Sequence, residues 1–119
     1  MSETLTSAPS PRLPFLAPDD EEIPAGITYG ELALESTGLP AAPFRLSRFT
    51  VAPGVETPVD VHQVHELWLV GSGTGELTYD GTAHRISEGD VVRFQPERTH
   101  TVRNDGTETL ALFSLWWKS

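Results

Sequence analysis

The chain has 119 residues, enough for one domain around one core. Its formal net charge is −9, with only eight Lys and Arg, a field that opposes nucleic acid and anionic membrane surfaces as partners. There is no cysteine, which removes disulfides, thiolate metal ligands and thiol nucleophiles and suits a reducing cytoplasm, the expected location.

Residues 1–22 read as a loose arm. They are rich in Pro and Ser and end in the acidic run Asp19–Glu22, so they bury little and hold no regular element. They carry neither the basic flank nor the apolar stretch of a secretory signal. No apolar run in the chain approaches the roughly 20 residues of a membrane span. The folded domain is expected over residues 23–119.

From Ile23 onward, short apolar stretches alternate with turn signals at Gly38-Leu39-Pro40, Pro53-Gly54, Gly71–Gly75, Asp80-Gly81, Glu88–Asp90 and Asp105-Gly106. That rhythm predicts an all-β sandwich or barrel, and no helical period of useful length interrupts it. In Glu66–Val70, Leu67 and Leu69 share one face while Glu66, Trp68 and Val70 share the other, which predicts a strand buried on both sides. An acid in such a strand is costly without a partner. Asp80-Gly81 between Glu76–Tyr79 and Thr82–Ile86 predicts a two-residue hairpin. Val91–Phe94 and Thr109–Trp117 predict two further strands. Trp116 and Trp117 face opposite ways, one expected in the core and the other in a dimer interface.

The segment Asp60-Val61-His62-Gln63-Val64-His65-Glu66 packs four potential metal ligands into seven residues. Asp60 and His62 share a strand face, and a tight turn near Gln63-Val64 brings Glu66 back beside His62. His100 comes from a separate stretch. Two imidazoles with one or two carboxylates suit Fe, Mn, Ni or Zn, and the set of two His and one carboxylate is that of non-haem iron oxygenases. His65 has the wrong parity to join Glu66 unless a bulge turns it inward. His84 follows a hairpin and is expected to face water.

These residues resemble the cupin superfamily. Its first motif is matched by Gly54, Asp60, His62, Glu66 and Gly73 at the family spacing, with Asp60 where the first His usually stands. Its second motif is matched by Gly89, His100 and Asn104, with Gln95 and Glu97 replacing its Pro and Gly. The resemblance spans about residues 44–117. It implies a single-domain double-stranded β-helix, or jelly-roll barrel, with His62, Glu66 and His100 as metal ligands on its inner wall and Asp60 in the fourth slot. Asp60 then binds the metal, binds it through water, or acts as a base; Asp60 and His65 are the candidate proton shuttles.

The expected function is a divalent-metal-dependent enzyme acting on a small organic molecule inside the barrel, of oxygenase or Lewis-acid isomerase or cyclase type. Two alternatives stand beside it. One is a metal-free acid–base isomerase or epimerase, in which repulsion between Asp60 and Glu66 raises one carboxyl pKa. The other is a non-catalytic binding barrel. Exposed strand edges and the apolar final strand predict a homodimer.

Overall fold

A computed structural model of the protein describes residues 15–118. Among them are nine strands: β1 (Glu21–Glu22), β2 (Ile27–Glu31), β3 (Arg45–Val51), β4 (His65–Ser72), β5 (Thr74–Tyr79), β6 (Thr82–Ser87), β7 (Val91–Phe94), β8 (His100–Arg103) and β9 (Leu110–Trp117). A 3-10 turn, Leu34–Thr37, lies between β2 and β3. The strands form a six-stranded sheet in the order β1-β2-β3-β9-β4-β7 and a three-stranded sheet in the order β6-β5-β8. Every pairing is antiparallel. This is the expected all-β jelly roll.

The two sheets close on one apolar core. Phe49, Val51, Trp68, Val70, Leu110 and Leu112 face inward from the larger sheet and meet Leu77, Ile86 and Val102 from the smaller one. Inward residues recur every second position, as the pleat requires. Each such aliphatic or aromatic side chain contributes about 1.5–3 kcal/mol by leaving water.

Turn chemistry sets the registers. Asp80 (φ 49°) and Gly81 (φ 87°) both take left-handed backbone, the geometry of a type I′ hairpin, and join β5 to β6 with Tyr79 opposite Thr82. Gly73 (φ 88°) separates β4 from β5, and a Cβ there would lie 2.8 Å from the Thr109 carbonyl oxygen. A side chain at residue 73 would push β9 away.

Three expectations are corrected. Regular structure begins at β1, two residues before Ile23, where Glu21 pairs with Tyr29 and Asp20 forms an ion pair with Arg48; residues 1–14 of the expected arm lie outside the described residues. β4 is buried on one face only: Glu66, Trp68 and Val70 point inward, while Leu67 is half-buried and Leu69 is 39% exposed. Both keep contact with water on the outer face, so the apolar character of Leu67 and Leu69 does not report burial. Trp116 is half-buried and turned toward an open cavity rather than the core.

The connection between β3 and β4 is the part of the fold that builds the site. It runs antiparallel to β8, with bridges Glu56↔Arg103 and Asp60↔His100. Asp60 and His100 exchange both backbone hydrogen bonds, at 2.9 and 3.0 Å. Asn104 anchors the far end. Fully buried, it donates to the Val51 and Glu108 carbonyls at 2.8 and 2.7 Å and accepts from the Gly106 amide at 2.9 Å. Asn104→Ala would leave the buried Val51 carbonyl and the part-buried Glu108 carbonyl short of a donor. It should lower unfolding free energy by about 2–4 kcal/mol in urea titration.

Candidate metal centre

β4 delivers Glu66 to the inner wall because its parity places that side chain with Trp68 and Val70, opposite Trp116 of β9 and Phe94 of β7. The bend at Gln63-Val64 folds His62 back over it, so His62 Nε2 lies 3.0 Å from Glu66 Oε1. β8 supplies His100 from the facing sheet, with Nε2 3.3 Å from the same oxygen. Asp60 Oδ2 stands 3.8 Å from His62 Nε2. Asp60, His62 and His100 each bring one ligand atom within 4.8 Å of the others. Glu66 Oε1 and the Asp60 carboxylate thus each approach the same pair of imidazoles.

The His100 ring is gripped by aromatics. It stacks on Phe94 with centroids 4.4 Å apart and planes 11° from parallel, and meets the edges of Trp68 and His62 at 5.3 and 5.2 Å. Glu66 is held just as firmly. Its Oε2 accepts hydrogen bonds from Trp68 Nε1, at 3.0 Å, and from Ser114 Oγ. This leaves Oε1 alone to face the histidines.

Glu66 Oε1 and both nitrogens of His100 are buried without a hydrogen-bond partner among the described residues. Buried polar groups of this kind call for an explanation. Ligands held at about 2.0–2.2 Å from one shared ion lie roughly 3.0–3.5 Å from each other. The separations from Glu66 Oε1 to the two imidazoles fall in that range, and Asp60 stands slightly outside it. Two imidazoles and a carboxylate are the donors that Fe, Mn, Ni or Zn accept. The residues present thus fit a divalent ion.

Burial pushes the Glu66 carboxyl up, but the nearby His100 ring, the Ser114 hydroxyl and the Trp68 indole together outweigh it, and its pKa lies below the ordinary carboxylate value. The expected repulsion-raised carboxyl is not found at Glu66; donors dominate over the distant, solvent-facing Asp60.

The remaining histidines lie elsewhere. His65 stays on the outer face of β4, stacked on Trp117 at 5.6 Å with Arg93 against its Nδ1. The bulge that would have turned it inward falls at the other end of the strand, between Val70 and Ser72. His65 therefore does not join the cluster. His84 is exposed on β6, as expected.

The cluster forms part of the wall of an open cavity of about 660 Å³. Among the wall residues that sequence reasoning missed are two hydroxyls, Ser47 and Ser114. A signal was present: each is a lone hydroxyl in an otherwise apolar inward row, Ser47 with Phe49 and Val51, Ser114 with Leu110, Leu112 and Trp116. In Ser114→Ala, one of the donors opposing desolvation is gone. The Glu66 titration, followed through its carboxyl ¹³C shift, should move upward; an unchanged midpoint would show that the hydroxyl does not stabilise the carboxylate.

Similar folds are found among solved structures. A cupin 2 conserved barrel domain protein from Salinispora arenicola is 28% identical, with TM-score 0.67 over 94% of this chain and 91% of that one. The polyketide cyclase RemF from Streptomyces resistomycificus is 19% identical, with TM-score 0.71 over 83% of this chain and 72% of that one. The cupin domain of Schizosaccharomyces pombe Cnp3 is 17% identical, with TM-score 0.68 over 78% of this chain, which spans 65% of that one. Among protein families, the Cupin domain matches residues 47–117, a span that begins within β3, runs through β9 and carries all four clustered side chains. With more than half of its length matched and its ligand-bearing strands in that fold, the chain belongs to the cupin family.

Proposed function

We propose that this cupin is a divalent-metal-dependent enzyme that acts on a small organic molecule held in the barrel cavity. The observation that carries this reading is the buried Glu66 Oε1 facing His62 Nε2 and His100 Nε2 at 3.0 and 3.3 Å beside an open cavity. His62, Glu66 and His100 are the ligands. A bound ion would supply Lewis acidity or, as iron, oxygen chemistry of the oxygenase type. Fold likeness to a polyketide cyclase adds an isomerase or cyclase reaction to the candidates, as analogy only.

The chain's own groups have distinct tasks in this scheme. Trp68 and Ser114 fix the direction of the Glu66 carboxylate. Phe94 and Trp68 hold the His100 ring and keep water from its inner edge. Asp60 Oδ2, exposed and slightly too far for the coordination set, accepts and returns a proton at the cavity mouth. The metal-free acid–base reading loses its motive, because the Glu66 carboxyl is held ionised rather than raised toward neutrality.

Elemental analysis of protein purified without chelators tests the proposal. Stoichiometric Fe, Mn, Ni or Zn is expected. His100→Ala should hold at least about tenfold less, since loss of a ligand costs no less than the 10–100-fold typical of outer-shell partners. His84→Ala should hold as much as the parent. Adding the ion at a hundred times its Kd should stabilise the fold by about 2.7 kcal/mol. Absence of metal, with no rise in melting temperature on its addition, would refute the reading.

The outer sheet face supports assembly of copies. Leu69 and Val91 are 39% and 60% exposed, beside the half-buried Leu67 and Trp117. A homodimer that covers this face removes it from water. Light scattering should give twice the chain mass, and Leu69→Lys should return the monomer.

A further inference from the structure

The composition of the cavity wall narrows the substrate class. Its aromatic surfaces are Tyr29, Phe49, Trp68 and Trp116, drawn from four neighbouring strands of one sheet. Its rim is apolar and open to water: Ile23, Tyr29 and Val59 are 66%, 46% and 69% exposed. Isolated exposed apolar residues need no explanation, but three at the mouth of one cavity mark a surface that a ligand covers. Among the described lining residues there is no Lys or Arg, while Asp60 and Glu66 are both present. Arg45, which sits 5.7 Å over the Trp116 ring, is already paired with Glu31. Without a bound ion, a carboxylate or phosphate entering this cavity would meet two acids, with the imidazoles of His62 and His100 already facing Glu66.

One polar group on the wall has nothing to do in the folded chain. Ser47 is 1% exposed, and its Oγ has no hydrogen-bond partner among the described residues. It sits in register with Ser114 across β3 and β9, and Ser114 is occupied by Glu66. β3 lies two strands from β4, about 9–10 Å across the sheet at the usual strand spacing.

Building on the cavity as the substrate chamber of the proposed enzyme, we propose that it takes a neutral, flat, largely apolar molecule, with Ser47 hydrogen-bonded to an oxygen at the end remote from the histidines. The aromatic walls cover the ring faces, and the unpartnered hydroxyl selects for an oxygen over bare hydrocarbon. Ser47 is a specificity residue in this scheme and takes no part in holding the ion.

The test uses three probes with one ring system: naphthalene, 2-naphthol and 2-naphthoate. Equilibrium dialysis at pH 8 against the full chain, as purified and after chelation, reads their affinities with metal content measured in parallel. Naphthol should bind at least about tenfold more tightly than naphthoate in the chelated protein. It should also bind about 3–10-fold more tightly than naphthalene, the range of one net hydrogen bond, and Ser47→Ala should abolish that second advantage. The melting temperature of Ser47→Ala should hold or rise, because the variant removes a hydroxyl that lacks a partner.

Naphthoate binding as tightly as naphthol, no binding by any probe, an advantage that survives Ser47→Ala, or a fall in its melting temperature would each overturn the inference. The expected affinities in a protein that carries no metal would sustain it while removing the metal reading, so the two fail separately.

Discussion

An ionised carboxylate buried in a β-barrel wall is the demand around which the rest of this molecule is arranged. Moving such a charge out of water costs several kcal/mol even after relaxation, comparable to what two or three core side chains contribute. Glu66 offsets that cost with groups from its own strand, from a neighbouring strand and from the opposite sheet. Trp68 on β4 and Ser114 on β9 satisfy one oxygen, while His62 and His100 confront the other. Remove the inward row of β9 and the acid loses its hydroxyl donor. Remove β8 and the second imidazole is gone. The fold and the site are therefore one energetic problem, with the core residues providing stability that the charged group consumes.

Much of this was legible in the residues. The hairpin at Asp80-Gly81 was readable because two successive left-handed positions have few other uses. Parity placed Asp60 with His62 and Glu66 with Trp68 and Val70; that this face is the inner wall followed from the resemblance. The convergence of His100 on them followed from the resemblance, not from periodicity, since strand pairing between distant segments leaves no local trace. Three things were not readable. The outer face of β4 reads as core because Leu67 and Leu69 have the same side chain whether covered by protein or by water. The short strand Glu21–Glu22 is acidic and lacks strand-forming residues, so only its partners reveal it. The side on which His65 falls depended on the position of a bulge, and the sequence does not mark whether that bulge opens the strand or closes it.

The departures from the family pattern have separate structural consequences. Asp60 in place of a histidine shortens the reach of that ligand position and leaves its oxygen 3.8 Å from His62 Nε2. The centre is thereby left with two imidazoles and one firmly held carboxylate. Glu97 takes the position of a glycine and adopts φ 66°, a left-handed backbone that a side chain accepts at a cost of about 1 kcal/mol. A main-chain bond holds it there: its amide donates to the His62 carbonyl at 2.8 Å, so the turn of the second motif is tied directly to a clustered histidine of the first.

The doubly hydrogen-bonded bridge between Asp60 and His100 bears on how molecules enter and leave. A lid works by swinging free of the groups it covers, yet here the covering segment and the ligand-bearing strand share their main-chain bonds in both directions. Drawing that segment aside would carry the imidazole with it. A molecule reaching the cavity would instead pass over the greasy lip formed by Ile23 and Tyr29, leaving the paired main chains of Asp60 and His100 undisturbed.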